Sequence, residues 1–342
     1  MIKKFFKNKS ILVTGASGSI GSEIVLKLLS TNCKVVRAFS NDENSIYQLM
    51  SYIDNNHKLS LKEVMKKNKI RFLIGDVRDY ERNLDACKNI DIVIHAAAMK
   101  HVPICEYNDE ETYKTNVIGT KKLISACLKR KVKFFLLIST DKAANPTSVM
   151  GKSKLEAEKI IFKSNSKKNL TKFSAIRFGN VIGSRGSVLP KFLDQIKNNQ
   201  QITVNDKNAT RFFITINQAT NEIFNALKIM RGKELFIIRN MYAIKIFDLA
   251  RALKIIFNHK KKIKIVGLSE GEKLHEELIA HNELARIYFL NNCVKKNNNL
   301  IKKNLENEFR SDKAYKLNIK QIKNFLIKNF NLPIPKSYKE HY

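Results

Sequence analysis

Short apolar runs alternate with helix-period segments through the first half of the chain. The runs Ile11–Thr14, Lys34–Phe39, Ile70–Ile74, Asp91–His95, Lys133–Ile138 and Phe173–Arg177 are rich in Val, Ile, Leu and Phe. Several lack a two-residue alternation, as strands covered on both faces do. Between them, Gly21–Leu29, Thr112–Lys129 and Val149–Lys163 carry apolar residues at helical spacing. Strands alternating with helices predict an α/β fold with a doubly wound parallel sheet and right-handed crossovers.

Beyond Phe178 the pattern changes. Glycines cluster in GNVIGSRGS, followed by a helix at Val188–Lys197 and a short strand at Ile202–Val204. Asn217–Met230 and Leu235–Ile238 read as one more helix and strand of the sheet. Ile246–Phe257 and Ile319–Lys328 read as helices of a smaller C-terminal lobe. The expected division is a sheet domain of 1–178 plus about 207–245, and a lobe of 179–206 and 246–342. Asn291–Asn304, rich in Lys and Asn, reads as a solvated loop.

With 342 residues and 44% hydrophobic content, the chain can bury a sizeable core. The formal net charge is +32, but the lysines are spread along the whole chain rather than gathered in one patch. A basic footprint argues for nucleic acid only when it is clustered, so no nucleic-acid partner is expected. The positive field does favour a diphosphate substrate. Cysteines stand at 33, 87, 105, 127 and 293, an odd number with no CxxC pair, which predicts reduced thiols in the cytoplasm. The start, MIKKFFKNKS, lacks a signal-peptide apolar core, and no run reaches the ~20 residues of a membrane span. A soluble cytoplasmic protein is therefore expected. No metal site is expected either: His275-Glu-Glu-Leu-Ile279 lacks the second His of HExxH, and His95 and His101 have no ligand spacing.

The first strand runs into Thr14-Gly-Ala-Ser-Gly-Ser-Ile-Gly21. Glycines at 15, 18 and 21 let the backbone turn tightly, approach a pyrophosphate and pack helix against strand. The following helix N-terminus offers free N–H groups and a partial positive charge. The turn reads as a Rossmann dinucleotide-binding turn, and its GxxGxxG spacing resembles that of short-chain dehydrogenases/reductases. Past the second strand, Ser40 and Asn41 can bond a ribose or a phosphate. Asp42 is open to two readings, ribose acid or helix cap, and Asp76 after the third strand to two more, adenine contact or cap.

The fifth strand ends in Ser139-Thr-Asp-Lys142, and a turn leads to a helix carrying Met150 and Lys154 one turn apart on one face. An ordinary short-chain dehydrogenase has Tyr and Lys there, the Lys lowering the phenol pKa so that the Tyr takes the hydroxyl proton. Met150 cannot carry a proton. Asp141 and Lys142 bring a carboxyl group and an amine to the strand end, where chemistry sits in such sheets.

The segment STDKAANPTSVMGKSKLEAE closely resembles the UDP-N-acetylglucosamine 4,6-dehydratases of polysaccharide and glycan biosynthesis, in the branch with Met for Tyr. TGASGSIGSE, GDVRD, HAAAMKHVP, KTNVIGT, RFGNVIGSRGSVLP, TRFF and GEKLHEEL follow the same pattern in order, from residue 10 to about 280. Larger relatives carry an N-terminal membrane region, which is not expected here. The resemblance implies a lyase using tightly bound NADP, or alternatively NAD, on a UDP-sugar: hydride leaves C4, water leaves across C5–C6, and hydride returns to C6. It implies Lys142 as the C5 base, with a pKa depressed by burial beside Lys154, and Asp141 as the acid at the C6 hydroxyl. It implies Lys154 at the nicotinamide ribose and C4 hydroxyl, Ser139 at the C4 oxygen, and Met150 in the catalytic face. It places Gly15, Ser17, Gly18, Ser19, Ile20, Gly21, Ser40, Asp76, Val77 and Ala97 at the cofactor. It places Lys100, Asn180, Ser187, Val188, Thr203, Arg211 and Glu272 at the UDP-sugar. The chain is expected to form a homo-oligomer. Two departures stand out: Ser269 where relatives often have Arg, and Asn41 where NADP-using members commonly have Arg. The rival readings are a UDP-sugar 4-epimerase, which needs no C5–C6 elimination, and a non-catalytic NAD(P)-binding regulator.

Overall fold

The computed structural model describes residues 2–330 and 332, apart from 59, 167–168, 240, 281–282, 284–286 and 291–308. The predicted loop Asn291–Asn304 and Cys293 lie outside the described residues. The strands are β1 (Ser10–Thr14), β2 (Val35–Ser40), β3 (Ile70–Ile74), β4 (Ile92–His95), β5 (Phe134–Ile138), β6 (Lys172–Arg177), β7 (Asn180–Val181), β8 (Thr203–Val204), β9 (Thr210–Ile214), β10 (Leu235–Ile238), β11 (Tyr242–Lys245), β12 (Lys264–Ile265) and β13 (Ile287–Leu290). Eight of them form one sheet in the order β13-β10-β6-β5-β4-β1-β2-β3. Every neighbouring pair in it is parallel.

The weak alternation in the strand sequences has its cause here, since both faces are covered. Ile11, Val13, Ile94, Leu136 and Ile176 point into one core, while Leu12, Val93, Phe135, Leu137 and Ala175 point into the other. The chain order reverses direction between β2 and β4 on either side of β1. That switch point opens a crevice at the carboxyl ends of the strands, where ligands of such sheets sit.

A third core, built on Phe192, Phe213, Ile244, Leu249, Leu253 and Leu326, holds the second lobe. Its frame is the three-stranded sheet β11-β9-β7, the β12-β8 pair and the helices Val188–Lys197, Ile246–Ile256 and Ile319–Phe330. Within 207–245, the helix Ile216–Ile229 and β10 join the main sheet domain, but β9 and β11 form the seam between the two cores. Phe212 and Ala243 face the sheet-domain core, and their neighbours Phe213 and Ile244 face the lobe. Strand β13 extends the main sheet beside β10, which the apolar pattern did not anticipate.

The stretch expected as one helix, Thr112–Lys129, is broken by a π-helical turn at Lys114–Ile118 between α-helices Asp109–Tyr113 and Gly119–Lys129. Within that turn Asn116 is buried, with 2% exposure. Such bulges are rare and often stand at functional sites.

Candidate active site

The glycine turn is shaped by backbone crowding. Gly15 has φ +62°, and a Cβ there would lie 2.6 Å from the Ala97 nitrogen. A Cβ at Gly21 would lie 2.1 Å from the Gly15 carbonyl oxygen. The helix Ser19–Leu29 starts at Gly18 with no side-chain cap, leaving its first N–H groups without a side-chain acceptor. This cradle at the switch point fits a dinucleotide pyrophosphate. The Ser17 and Ser40 hydroxyls meet at 2.7 Å, joining the turn to the end of β2.

The two acidic residues near the turn differ in their intramolecular partners. Asp42 caps the helix Glu43–Asn56, accepting from the Asn44 and Ser45 nitrogens at 3.1 Å. Asp76 caps no helix. Its carboxylate accepts from the Arg78 backbone at 2.8 Å and its guanidinium at 2.7 and 3.0 Å, and these bonds and charges hold it below the usual carboxylate range against burial. Val77 is a core side chain, 5% exposed. Arg185 was missed by sequence reasoning. Its guanidinium donates to the Ser17 carbonyl, its backbone N–H donates to Ser19 Oγ at 3.1 Å, and its carbonyl accepts from Lys100 Nζ at 2.8 Å. An arginine set between two left-handed glycines, Gly183 and Gly186, was the available signal.

The helix Val149–Lys163 is fixed at its start by several contacts. Ser148 Oγ accepts from the Gly151 N–H at 3.0 Å, and Glu106 accepts from the Val149 N–H at 2.8 Å. Asn116 donates to Ser153 Oγ at 2.9 Å and clasps the Met99 backbone at 2.8 and 3.0 Å. Gly151 is required by the close passage of the Lys142 carbonyl, 2.4 Å from where a Cβ would be. Met150 and Lys154 are buried on the same face, at 4% and 6% exposure. Lys154 Nζ donates to the Ile138 carbonyl at 2.6 Å, and burial pushes its amine down to about 8 although Glu158 opposes the shift. Nearby His95 bridges Thr14 and Thr120 at 2.7 and 2.9 Å, and burial together with Lys154 pushes it down to about 3, so it is a neutral core histidine.

Ser139 does not face an open cleft. Its hydroxyl donates to Glu158 at 2.5 Å. Glu158 also accepts two bonds from Arg177, at 2.8 and 2.5 Å, and Arg177 continues to Glu283 at 2.6 and 2.7 Å. Next along the chain, the Thr140 hydroxyl lies 2.8 Å from the Asp141 carboxylate and is part-buried. The alternation at the strand end thus sends Ser139 to the buried network and Thr140 toward Asp141.

Lys142 and Asp141 are together, as expected, at 3.1 Å. The expected depression of Lys142 is corrected. Burial does push the amine down, but Asp141 and Glu276 outweigh it, and the net shift is upward. Glu276, which was also missed, lies 3.2 Å from Lys142 Nζ. Its signal was a second carboxylate inside GEKLHEEL.

A cavity of about 490 Å³ opens above this floor, lined by Lys142 and Glu276. All residues assigned to the sugar nucleotide line it: Lys100, Asn180, Ser187, Val188, Thr203, Arg211 and Glu272. Arg211 is not a free cation there. It pairs with Glu272 at 3.2 Å and Glu276 at 3.6 Å, and donates to the Thr210, Lys273 and Leu274 carbonyls. Ser269 also lines the cavity, with its N–H on Glu272 at 3.3 Å. Among the described residues no cluster of three or more His, Cys, Asp or Glu is placed to hold a metal, and no helix is long and apolar enough to cross a membrane.

Comparison with known proteins places this arrangement. The family described as polysaccharide biosynthesis protein matches residues 11–297. The chain belongs to that family. Within the polysaccharide biosynthesis family it is similar to the inverting UDP-N-acetylglucosamine 4,6-dehydratase of Campylobacter jejuni, 38% identical over 84% of this chain and 82% of the relative. It is also similar to the UDP-glucose 4-epimerase of Rickettsia bellii, 35% identical over 84% of this chain and 82% of the relative. The X-ray structure of Pen from Bacillus thuringiensis superposes with a TM-score of 0.82 at 37% identity, over 95% of this chain and 98% of that one. The chain has the extended short-chain dehydrogenase/reductase fold.

Proposed function

We propose that the chain is a UDP-N-acetylglucosamine 4,6-dehydratase of the cytoplasm, making a UDP-4-keto-6-deoxy-N-acetylhexosamine for polysaccharide or glycan biosynthesis. The observation that carries this reading is the amine–carboxylate pair of Lys142 and Asp141, 3.1 Å apart below the cavity. Loss of a C5 proton with departure of the C6 hydroxyl needs a base and an acid side by side. Exchange of configuration at C4 needs an acid–base group at the C4 hydroxyl but none at C5 or C6. A nicotinamide cofactor, NADP or alternatively NAD, would supply the hydride acceptor and donor for C4 and C6. Gly15, Gly18 and Gly21 would hold its pyrophosphate, and Lys154 its ribose.

The chain's own groups do the proton work. Lys154, whose amine is pushed down to about 8, has a neutral fraction near neutral pH that can accept the C4 hydroxyl proton. Met150 beside it cannot. Lys142 begins as an ammonium next to the Asp141 carboxylate. Passing that proton across 3.1 Å gives an amine and a carboxylic acid together, and a closed site of low dielectric favours the neutral pair. The amine then takes the C5 proton while Asp141 protonates the C6 oxygen, which leaves as water. The pair returns to its starting charges; as C6 regains hydride, C5 takes a proton from solvent and Lys154 releases the C4 hydroxyl proton to solvent, so the net loss is one water. Thr140, hydrogen-bonded to Asp141, is better placed than Ser139 to meet the C4 oxygen. Lys100 lines the cofactor–sugar junction.

The test uses deuterated water. Lys142→Ala and Asp141→Asn should keep cofactor binding through the glycine turn and lose turnover by ~10²–10⁴-fold each. Asp141→Asn should still exchange deuterium at C5 in a trapped ketone, and Lys142→Ala should not. Near wild-type dehydration by both variants would move the elimination catalyst elsewhere. A product of unchanged mass would favour the epimerase, which the Rickettsia relative keeps in view.

A further inference from the structure

The reading above assigns Lys142 but leaves unexplained the second carboxylate set against it. Glu276 is 2% exposed and lines the cavity. One of its oxygens lies 3.2 Å from Lys142 Nζ and 3.6 Å from Arg211 Nε. The other oxygen is buried with no hydrogen-bond partner. Its backbone N–H is fixed by Ser311 Oγ at 2.9 Å, and Ser311 in turn meets Thr210 at 2.8 Å. The backbone of Glu276 is therefore anchored from behind while one carboxylate oxygen stays buried and unpaired, an arrangement that costs stability. The charged groups facing Glu276 are Lys142, Asp141, Arg211 and Lys273.

We propose that Glu276 is a positioning residue for Lys142, orienting its Nζ and stabilising the ammonium that forms as Nζ takes the C5 proton. The logic is that of any catalytic base backed by a buried carboxylate. Asp141 cannot fill this role, because it must give its proton to the departing oxygen in the same step. Burial, with Asp141, pushes the Glu276 carboxyl up, and Lys142, Arg211 and Lys273 oppose that shift; in this role Glu276 acts as the carboxylate and neither gains nor loses a proton during the step. The Lys142 amine, left to burial alone, would be a weak base; Glu276 and Asp141 are the groups that push it the other way. The proposal rests on Lys142 being the C5 base, so its test needs one measurement that does not depend on that chemistry.

That measurement is competitive acetylation of Lys142 with acetic anhydride across pH, read by peptide mass spectrometry, in wild type, Glu276→Gln, Glu276→Asp and Glu272→Gln. An anion within ~4–6 Å of a cation shifts its titration by ~1–3 units. Glu276→Gln should move the Lys142 midpoint down by at least about one pH unit. Glu276→Asp should restore most of it, and Glu272→Gln, which touches Arg211 but not Lys142, should leave it in place. In the second measurement, C5 deuterium exchange, the high-pH plateau of Glu276→Gln should fall about tenfold because the free amine is a weaker base. An unmoved labelling midpoint overturns the proposal, even if activity is lost, because a merely structural glutamate would give that result. A shifted midpoint with an unchanged exchange plateau overturns it too. If the midpoint moves but wild type never dehydrates UDP-N-acetylglucosamine, the tuning of Lys142 stands and the dehydratase reading fails.

Discussion

Replacing Arg177 with methionine should be one of the most damaging single changes in the protein. The guanidinium is fully buried, and its partner Glu158 is 1% exposed. Glu158 accepts from both Arg177 and the Ser139 hydroxyl. Removing one member of a buried pair leaves the other charge uncompensated, typically ~3–5 kcal/mol. Methionine keeps much of the volume, so the cavity term is small and the loss is mostly electrostatic. Glu283 is 18% exposed and can turn to water, so it adds little. Arg177→Met should therefore lose about 3–5 kcal/mol, whereas Arg177→Met combined with Glu158→Gln should recover most of it, because the unpaired charge is gone. Urea denaturation of the wild type, both single variants and the double variant measures the coupling. A loss under about 1 kcal/mol for Arg177→Met, or strictly additive single effects, would refute the argument.

Three further outcomes follow from the geometry. Lys154 is pushed down to about 8 by burial, from an ordinary 10.5, so the unfolded chain holds its proton more tightly. Stability should accordingly rise as pH goes from about 8 to 10.5 and level off at its lower value below about 8, where both states hold the proton, and Lys154→Met should gain up to about 3 kcal/mol at neutral pH, a gain that shrinks by pH 10. Gly21→Ala puts a Cβ 2.1 Å from a backbone oxygen; it should cost about 1–3 kcal/mol and abolish cofactor retention on gel filtration, and normal cofactor content would contradict the turn's role. Ser139→Ala should act mainly on the melting temperature and Thr140→Val mainly on turnover, and the reverse pattern in kinetics and thermal melts would restore Ser139 to the site.

The six first-half strands were legible because a parallel sheet covered on both faces needs continuous apolar runs, and Ile70–Ile74 was read to the residue. The glycine turn was legible because backbone crowding at 15 and 21 admits no side chain. The cavity wall was legible from ordered motifs spread over 100 to 272. Other features depended on contacts between distant segments, which periodicity does not carry. Strand β13 and the β9–β11 seam are short, and only their packing decides which core they serve. Asn116 turns inward through a π-helical turn that its helical pattern concealed. Ser139 and Thr140 are adjacent hydroxyls, and only the network of Glu158 and Arg177 shows which one is occupied. The upward shift of Lys142 required Glu276, which lies 134 residues later in sequence, 276 less 142.

On the proposed function, this site eliminates water across C5–C6 of a UDP-sugar without net oxidation. The most direct test is incubation with UDP-N-acetylglucosamine and a catalytic amount of oxidised cofactor in deuterated water, followed by NMR and mass spectrometry of the product. The expected product is a 4-keto-6-deoxy sugar nucleotide formed by loss of one water, with one deuteron at C5 and no consumption of reduced cofactor. A product of unchanged mass, or a stoichiometric demand for NAD(P)H, would contradict it.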